Sequence, residues 1–200
     1  EIAAANYPEI RQLNMARTAA YLPNTNAQGE WSICSPETAG NFTGVGYYFA
    51  RKLFKEINVP IGIIDASWGG TGVEPWISQL GYNMIPEVEK ERNEVNAGLP
   101  TSPTGKKKWA KHLTELEAWL PLAAKSVNAG KLPLNIPKRP SQLAVTHHGP
   151  TKIFNAMIHP LIPYAIRGVI WYQGESSWGQ GPLYYYKKKA LIEGWRQLWD

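Results

Sequence analysis

Three stretches of the chain carry the hydrophobic pattern of strands. Ile10 to Arg17 (IRQLNMAR) roughly alternates apolar and polar positions, whereas Val59 to Ser67 (VPIGIIDAS) and Ile166 to Gln173 (IRGVIWYQ) are nearly continuous apolar runs. Continuous runs suit strands covered on both faces, as in a parallel sheet. Between the first two, Val45, Tyr48, Phe49, Leu53 and Ile57 recur at helical spacing with Arg51, Lys52 and Lys55 opposite, which predicts a strand, helix, strand unit. After the third, Leu183, Tyr186, Ala190, Leu191, Trp195 and Leu198 form a second helical stripe, with Pro182 in a first-turn position. This alternation predicts an α/β fold with a parallel sheet.

The rhythm changes between residues 84 and 150. Pro86 to Asn128 is charged and helical, with Trp109, Leu113, Leu116 and Leu120 as its apolar face, and Gly130 to Pro150 is proline-rich without a period. The pattern predicts a helical insertion and a long return loop over one end of the sheet. No internal repeat or low-complexity tract interrupts the chain.

Composition narrows the class. With 200 residues, 44% of them hydrophobic, the chain can bury one sizeable core, so a single domain is expected. The net charge of +5 comes partly from Lys106 to Lys108 and Lys187 to Lys189, which read as solvated helix faces. A nucleic-acid groove needs a longer basic stripe interleaved with aromatics, so nucleic acid is not an expected partner. The single cysteine, Cys34, excludes an internal disulfide. Without a Cys-x-x-Cys motif or a spaced His pair, a structural zinc site is not expected, and no cofactor is among the expected partners. No apolar run reaches the roughly 18 residues of a membrane span, so no membrane partner is expected. The first residues, EIAAANYPEI, and the last, ALIEGWRQLWD, both read as interior positions of a longer polypeptide.

In open parallel sheets ligands collect at the carboxyl ends of the strands, and two of the predicted ends are polar and glycine-rich. In IIDASWGGTGVEPW, Asp65 to Gly69 is similar to a nucleophile elbow, but Asp65 stands where that pattern wants its first glycine. Ser67 is therefore either a nucleophile or a turn-capping serine. Gly69 and Gly70 fit a backbone that approaches a ligand closely and offers N–H donors to a developing negative charge. In VIWYQGESSWGQG, Gln173 offers an amide donor and Glu175 an acceptor able to orient a histidine base. Equally, the two could cap the following helix or pair with an arginine. His147 and His148 stand in a loop, His159 reads as a packing residue between Ile158 and Pro160, and His112 reads as solvent-facing on the lysine-rich helix.

Together VPIGIIDASWGGTGVEPWIS and IFNAMIHPLIPYAIRGVIWYQGESS resemble the sialate O-acetylesterase family, a branch of the SGNH (GDSL-like) hydrolases. NYPEIRQLNMAR and GEWSICSPETAGNFTGVGYYFARKL are similar to the same family in order and spacing, and the Trp-Tyr-Gln-Gly-Glu block is the most specific part. The resemblance implies a three-layer α/β/α flavodoxin-like fold and a serine esterase that removes O-acetyl groups from sugars without a metal. It also implies an extracytoplasmic setting: periplasmic, secreted or lysosomal. The family's nucleophile lies in a Gly-Gln-Ser-Asn-Met block and its histidine in an Asp-x-x-His block, and this chain contains neither. The resemblance therefore implies an incomplete domain over residues 1–200, inactive by itself, whose partners are an acetylated sugar and the remaining segments of the same domain.

Carried over by position, Gly70 matches the family's backbone oxyanion donor, Gln173 its side-chain contributor and Glu175 a carboxylate assigned to the triad in related acetylesterases. Asn155 matches an asparagine near the pocket, with Ala156 standing where the family commonly has glycine. Among the nine Trp and ten Tyr, Trp68 and Trp178 are the expected pocket walls, flat rings suited to a pyranose face, with Gly69 beside them. Two other readings stay open: a non-catalytic carbohydrate-binding or scaffold fragment, and a self-sufficient esterase using Ser67 with His147 or His148.

Overall fold

The alternating segment near the N-terminus becomes the middle strand of a small mixed sheet. In the computed structural model, which describes residues 1–140 and 143–200, β1 (Tyr7–Met15) lies antiparallel to β2 (Gly29–Cys34) and parallel to β3 (Ile61–Asp65), in the order β2-β1-β3. Period-two geometry sends β1 side chains to opposite faces. Ile10 joins one buried cluster with Ala5, Cys34, Phe42, Tyr47 and Ala50, while Leu13 and Met15 join a larger one with Val73, Trp76, Ile77, Tyr82, Phe154, Met157 and Leu191.

Helix α1 (Gly44–Ile57) forms where the 3.6-residue period predicts it, and ends on Asn58 in the left-handed conformation (φ 49°). Its buried face differs from the expected one: Gly46, Tyr47 and Ala50 are inside, whereas Val45, Tyr48, Phe49 and Ile57 are each about half exposed. Small residues let the helix lie close to β3, with Gly46 over Ile63, and that approach turns the larger apolar side chains outward.

The third predicted strand does not form. Among the described residues Ile166 to Gln173 has no strand partner, and Val169, Ile170 and Tyr172 are exposed. Its Trp171 side chain is anchored, edge-on to Trp76 and Trp195 at 6.0 and 6.3 Å, with the Lys188 ammonium 4.3 Å from the ring centre. An apolar run needs cover as well as backbone partners. Here Trp171 finds its cover on α5 (Pro182–Trp199), away from the sheet. Among the described residues the expected parallel sheet is therefore a mixed one of three strands, and the α/β class holds.

After α2 (Gln79–Met84), which the pattern did not predict, the middle of the chain is helical as expected for Pro86 to Asn128, with α3 (Glu89–Gly98) and α4 (Pro103–Asn128) in turn. Ser78 and Ser102 cap α2 and α4, each accepting a hydrogen bond from an N–H of the first turn at 2.9 Å. The expected apolar face of α4 is largely in solvent, with Leu113 and Leu120 exposed, whereas His112 is only 6% exposed and, among the described residues, its Nδ1 has no partner. Packing against α3 gathers the Trp109 and His112 side of the helix, since Trp109 Nε1 donates to the Gly98 carbonyl at 3.1 Å. Residues 141 and 142 of the predicted return loop lie outside the described residues. Among the described residues, no helix is long and apolar enough to cross a membrane.

Candidate active site

Two loops meet at the end of β3. The first, from Ala66 to Trp76, is braced internally: Thr71 Oγ1 donates to the Trp68 carbonyl at 2.8 Å and accepts from Trp76 Nε1 at 3.0 Å. Its tip is Gly69–Gly70, exposed, with Gly70 at φ +77°, a conformation that disfavours any residue with a Cβ. Among the described residues, neither glycine N–H has an acceptor.

The second loop, Gln173 to Gly181, is tied to the first by Gln173. Its Nε2 donates to the Thr71 carbonyl at 3.2 Å and to Ser177 Oγ at 3.1 Å, and its Oε1 accepts from Tyr184 Oη at 3.1 Å. Both amide hydrogens are thus used within the protein, so Gln173 acts in this structure as a brace holding the Gly-Gly tip. Glu175 is exposed, and its Oε2 accepts from the Gly174 N–H at 3.1 Å. Among the described residues, Oε1 of Glu175 has no partner and no histidine contacts it. Trp178, three residues on, is 92% exposed.

Glu74, which the sequence did not single out, joins the loops to α5. Its Oε1 accepts from Lys187 Nζ at 2.6 Å and from Gln180 Nε2 at 2.9 Å, and Lys187 also pairs with Glu91 at 2.9 Å. Lys187 is 4% exposed, so the first member of the expected solvated triplet is in fact a buried cation. Burial is the largest influence on the Glu74 carboxyl and pushes its pKa up. The hydrogen bonds from Lys187, its own backbone and Gln180 together outweigh it and hold the group below the usual carboxylate range. For Lys187 the two carboxylates likewise outweigh burial and raise the ammonium.

His147 stacks flat on Trp68, ring centres 4.7 Å apart and planes 6° from parallel, with His148 tilted against it at 3.9 Å. The return loop thereby brings two imidazoles beside the Ser67 to Gly70 turn. Among the described residues, Ser67 Oγ makes no hydrogen bond to either, so no nucleophile and base pair is formed. Arg17 Nε instead donates to the Ser67 carbonyl at 3.3 Å. The reading that pairs Ser67 with His147 or His148 thus has the histidines near the turn but no hydrogen bond to the serine among the described residues.

Asn155 sits apart from this group. It is buried on the π-helical turn Phe154–Ile158, and its Nδ2 donates to the Tyr21 carbonyl at 2.9 Å. It lines a cavity of about 160 Å³ with Tyr21, Val95, Leu99, Phe154 and His159, to which Gly70, Gln173 and Glu175 do not contribute. His159 packs there as expected, edge-on to Phe154 with Nδ1 2.8 Å from the Asn24 carbonyl oxygen.

Beside that wall, Lys152 is 6% exposed, with its ammonium 4.0 Å from the Tyr21 ring centre. Burial pushes its pKa down from 10.5 to about 8, against a weaker upward pull from Glu94. Between those two values the unfolded chain holds a proton that the folded chain has released, so stability rises with pH through this window. Below the folded pKa the buried cation is a net cost. Lys152→Met is expected to melt several degrees higher than wild type at pH 7, with the gap closing by pH 10, as followed by thermal denaturation.

No protein-family model matches the chain. Among curated proteins it is similar to the sialate O-acetylesterase of Rattus norvegicus, 29% identical over 96% of this chain and 34% of that protein. The mouse (Mus musculus) enzyme of the same name is 33% identical over 79% of this chain and 26% of its own length. Among solved structures, the crystal structure of a carbohydrate acetylesterase from Xanthomonas citri superposes with a TM-score of 0.64 at 27% identity, over 99% of this chain and 33% of that one. The α/β fold thus falls in the class to which that carbohydrate acetylesterase belongs. Within that class, the chain belongs to the sialate O-acetylesterase family. It spans about a third or less of the relatives it matches.

Proposed function

We propose that this chain supplies the oxyanion side of an extracytoplasmic carbohydrate O-acetylesterase site in a flavodoxin-like, three-layer SGNH domain. The observation that carries the reading is the exposed Gly69–Gly70 tip, with two unengaged N–H donors, braced through Thr71 by Gln173. Fixed donors of this kind stabilise an acetyl carbonyl oxygen as it becomes an oxyanion, and need no reorganisation when the charge develops. In the reaction a serine Oγ attacks the acetyl carbon as a histidine takes its proton. The sugar alkoxide then leaves with that proton, and water releases acetate from the acyl-serine. We assign the serine and histidine to segments outside these 200 residues, because neither block occurs in the sequence. The apolar face that α1 leaves in solvent, Val45, Tyr48, Phe49 and Ile57, supports further packing of the same domain. Glu175, with one carboxylate oxygen free among the described residues, is the group we assign to orient the histidine.

Gly70→Ala in the polypeptide that joins this chain to its flanking segments tests the donor assignment, because a Cβ is strained at φ +77°. Acetate release from acetylated sialic acid is expected to fall about 100-fold with KM little changed. An unchanged kcat would remove the Gly-Gly tip from the mechanism.

A non-catalytic sugar-binding role is favoured by one observation: Trp178 and Tyr172, beside Glu175 and Gln173, are 92% and 79% exposed. Calorimetry separates the readings, since a binding fragment takes up sialylated or xylan-type sugars without any acetate appearing.

A further inference from the structure

We propose that Glu74 is a positioning residue of this site: its carboxylate, clamped by Lys187 and Gln180, holds the oxyanion loop and the Gln173 to Gly181 loop in one register. The proposal rests on the esterase reading for what the register serves, and on geometry alone for the clamp. Glu74 belongs to the first loop, four residues beyond Gly70, and Gln180 to the second, five residues beyond Glu175. One oxygen, Glu74 Oε1, receives both Gln180 Nε2 at 2.9 Å and Lys187 Nζ at 2.6 Å, so the two loops meet on a single atom anchored to α5. The backbone is held as well, because the Glu74 carbonyl accepts from Tyr82 Oη at 3.0 Å and from the Thr151 N–H at 3.2 Å.

The arrangement costs more than a stability device would. A buried ion pair is commonly matched or bettered by apolar residues of the same volume. Gln180, turned so that its amide donates to Glu74, leaves its Oε1 buried without a partner, a penalty that an apolar contact would avoid. What the clamp provides, and an apolar patch does not, is direction. It fixes one hydrogen-bonding orientation between loops that carry Gly70 on one side and Glu175 on the other.

Hydrogen exchange on the intact chain tests this without any assay of catalysis. In Glu74→Gln, amides of residues 68–76 and of 173–181 are expected to exchange about 10-fold faster together, while those of β1 keep their wild-type rates. Glu91→Gln removes the other partner of Lys187 and leaves the clamp. It is expected to lower the melting temperature while both loops stay within about two-fold of wild type. The clamp is overturned if Glu74→Gln leaves either loop unchanged, or if Glu91→Gln speeds both loops equally. In the longer polypeptide, Glu74→Gln is expected to lower kcat for acetate release about 10-fold or more with KM nearly constant. Coupled loops with an unaltered kcat would keep the clamp and remove its role in catalysis. A wild type that releases no acetate would fail the esterase reading, and the exchange result would still decide the clamp.

Discussion

Lys187→Met is expected to lower the unfolding free energy by about 3–5 kcal/mol, the usual cost of removing one partner of a buried ion pair. Two carboxylates, Glu74 and Glu91, meet on this one ammonium at 2.6 and 2.9 Å, and all three side chains are largely out of water. Methionine fills the space but leaves two negative charges facing each other with no cation between them. The loss depends on pH in a defined direction. Glu74 has a depressed pKa in the folded chain, so its stabilisation is full above the ordinary carboxylate range and is lost as pH falls through the depressed value. Urea denaturation at pH 7 and again near pH 4 should therefore show the gap between wild type and variant narrowing on acidification. A constant gap would mean that Lys187 matters for packing and not for charge.

Gly81→Val is expected to cost about 3 kcal/mol or more, because the crossing of α2 and α5 leaves no room for a side chain. A Cβ at Gly81 would sit 2.2 Å from the Ala190 carbonyl oxygen, and one at Gly194 would sit 2.6 Å from the Gly81 Cα. These neighbours are backbone atoms and cannot turn aside. The crossing also bears on the candidate site, because Trp195 Nε1 reaches from α5 to the Trp76 carbonyl at 3.0 Å and fixes the end of the Ala66 to Trp76 loop. Thermal denaturation reads the loss of stability. In the longer polypeptide the same variant should lose acetate release in proportion to its unfolded fraction, whereas Gly70→Ala loses it while folded.

Much of this was legible in the chain. The periods of Ile10 to Arg17 and of Leu183 to Leu198 located β1 and α5, and the apolar run VPIGIIDAS located β3 and the glycine-rich turn after it. Other features were legible but misassigned. Lys187 lies four residues after Leu183 and three before Ala190, on the buried stripe itself, so one lysine of the triplet had to point inward. His112 stands in the same relation to Trp109 and Leu116 on α4. The fate of IRGVIWYQ was not legible, because an apolar run records the need for cover and not which element provides it. Trp171 takes that cover from Trp76 and Trp195, contacts across 95 and 24 residues of sequence. The stacking of His147 on Trp68 and the meeting of Glu74 with Gln180 and Lys187 are equally long-range, and periodicity carries no information about them.

Stabilising an oxyanion in a sugar O-acetylesterase is the role proposed for the loops around Gly70 and Gln173. The most direct measurement is acetate release from acetylated sialic acid by the polypeptide that joins these 200 residues to their flanking segments, comparing wild type with Gln173→Ala and Glu175→Ala. The expected result is release by wild type, none by the 200 residues alone, and a fall of about 100-fold in each variant with the fold intact. Full activity in both variants would contradict the assignment of this site.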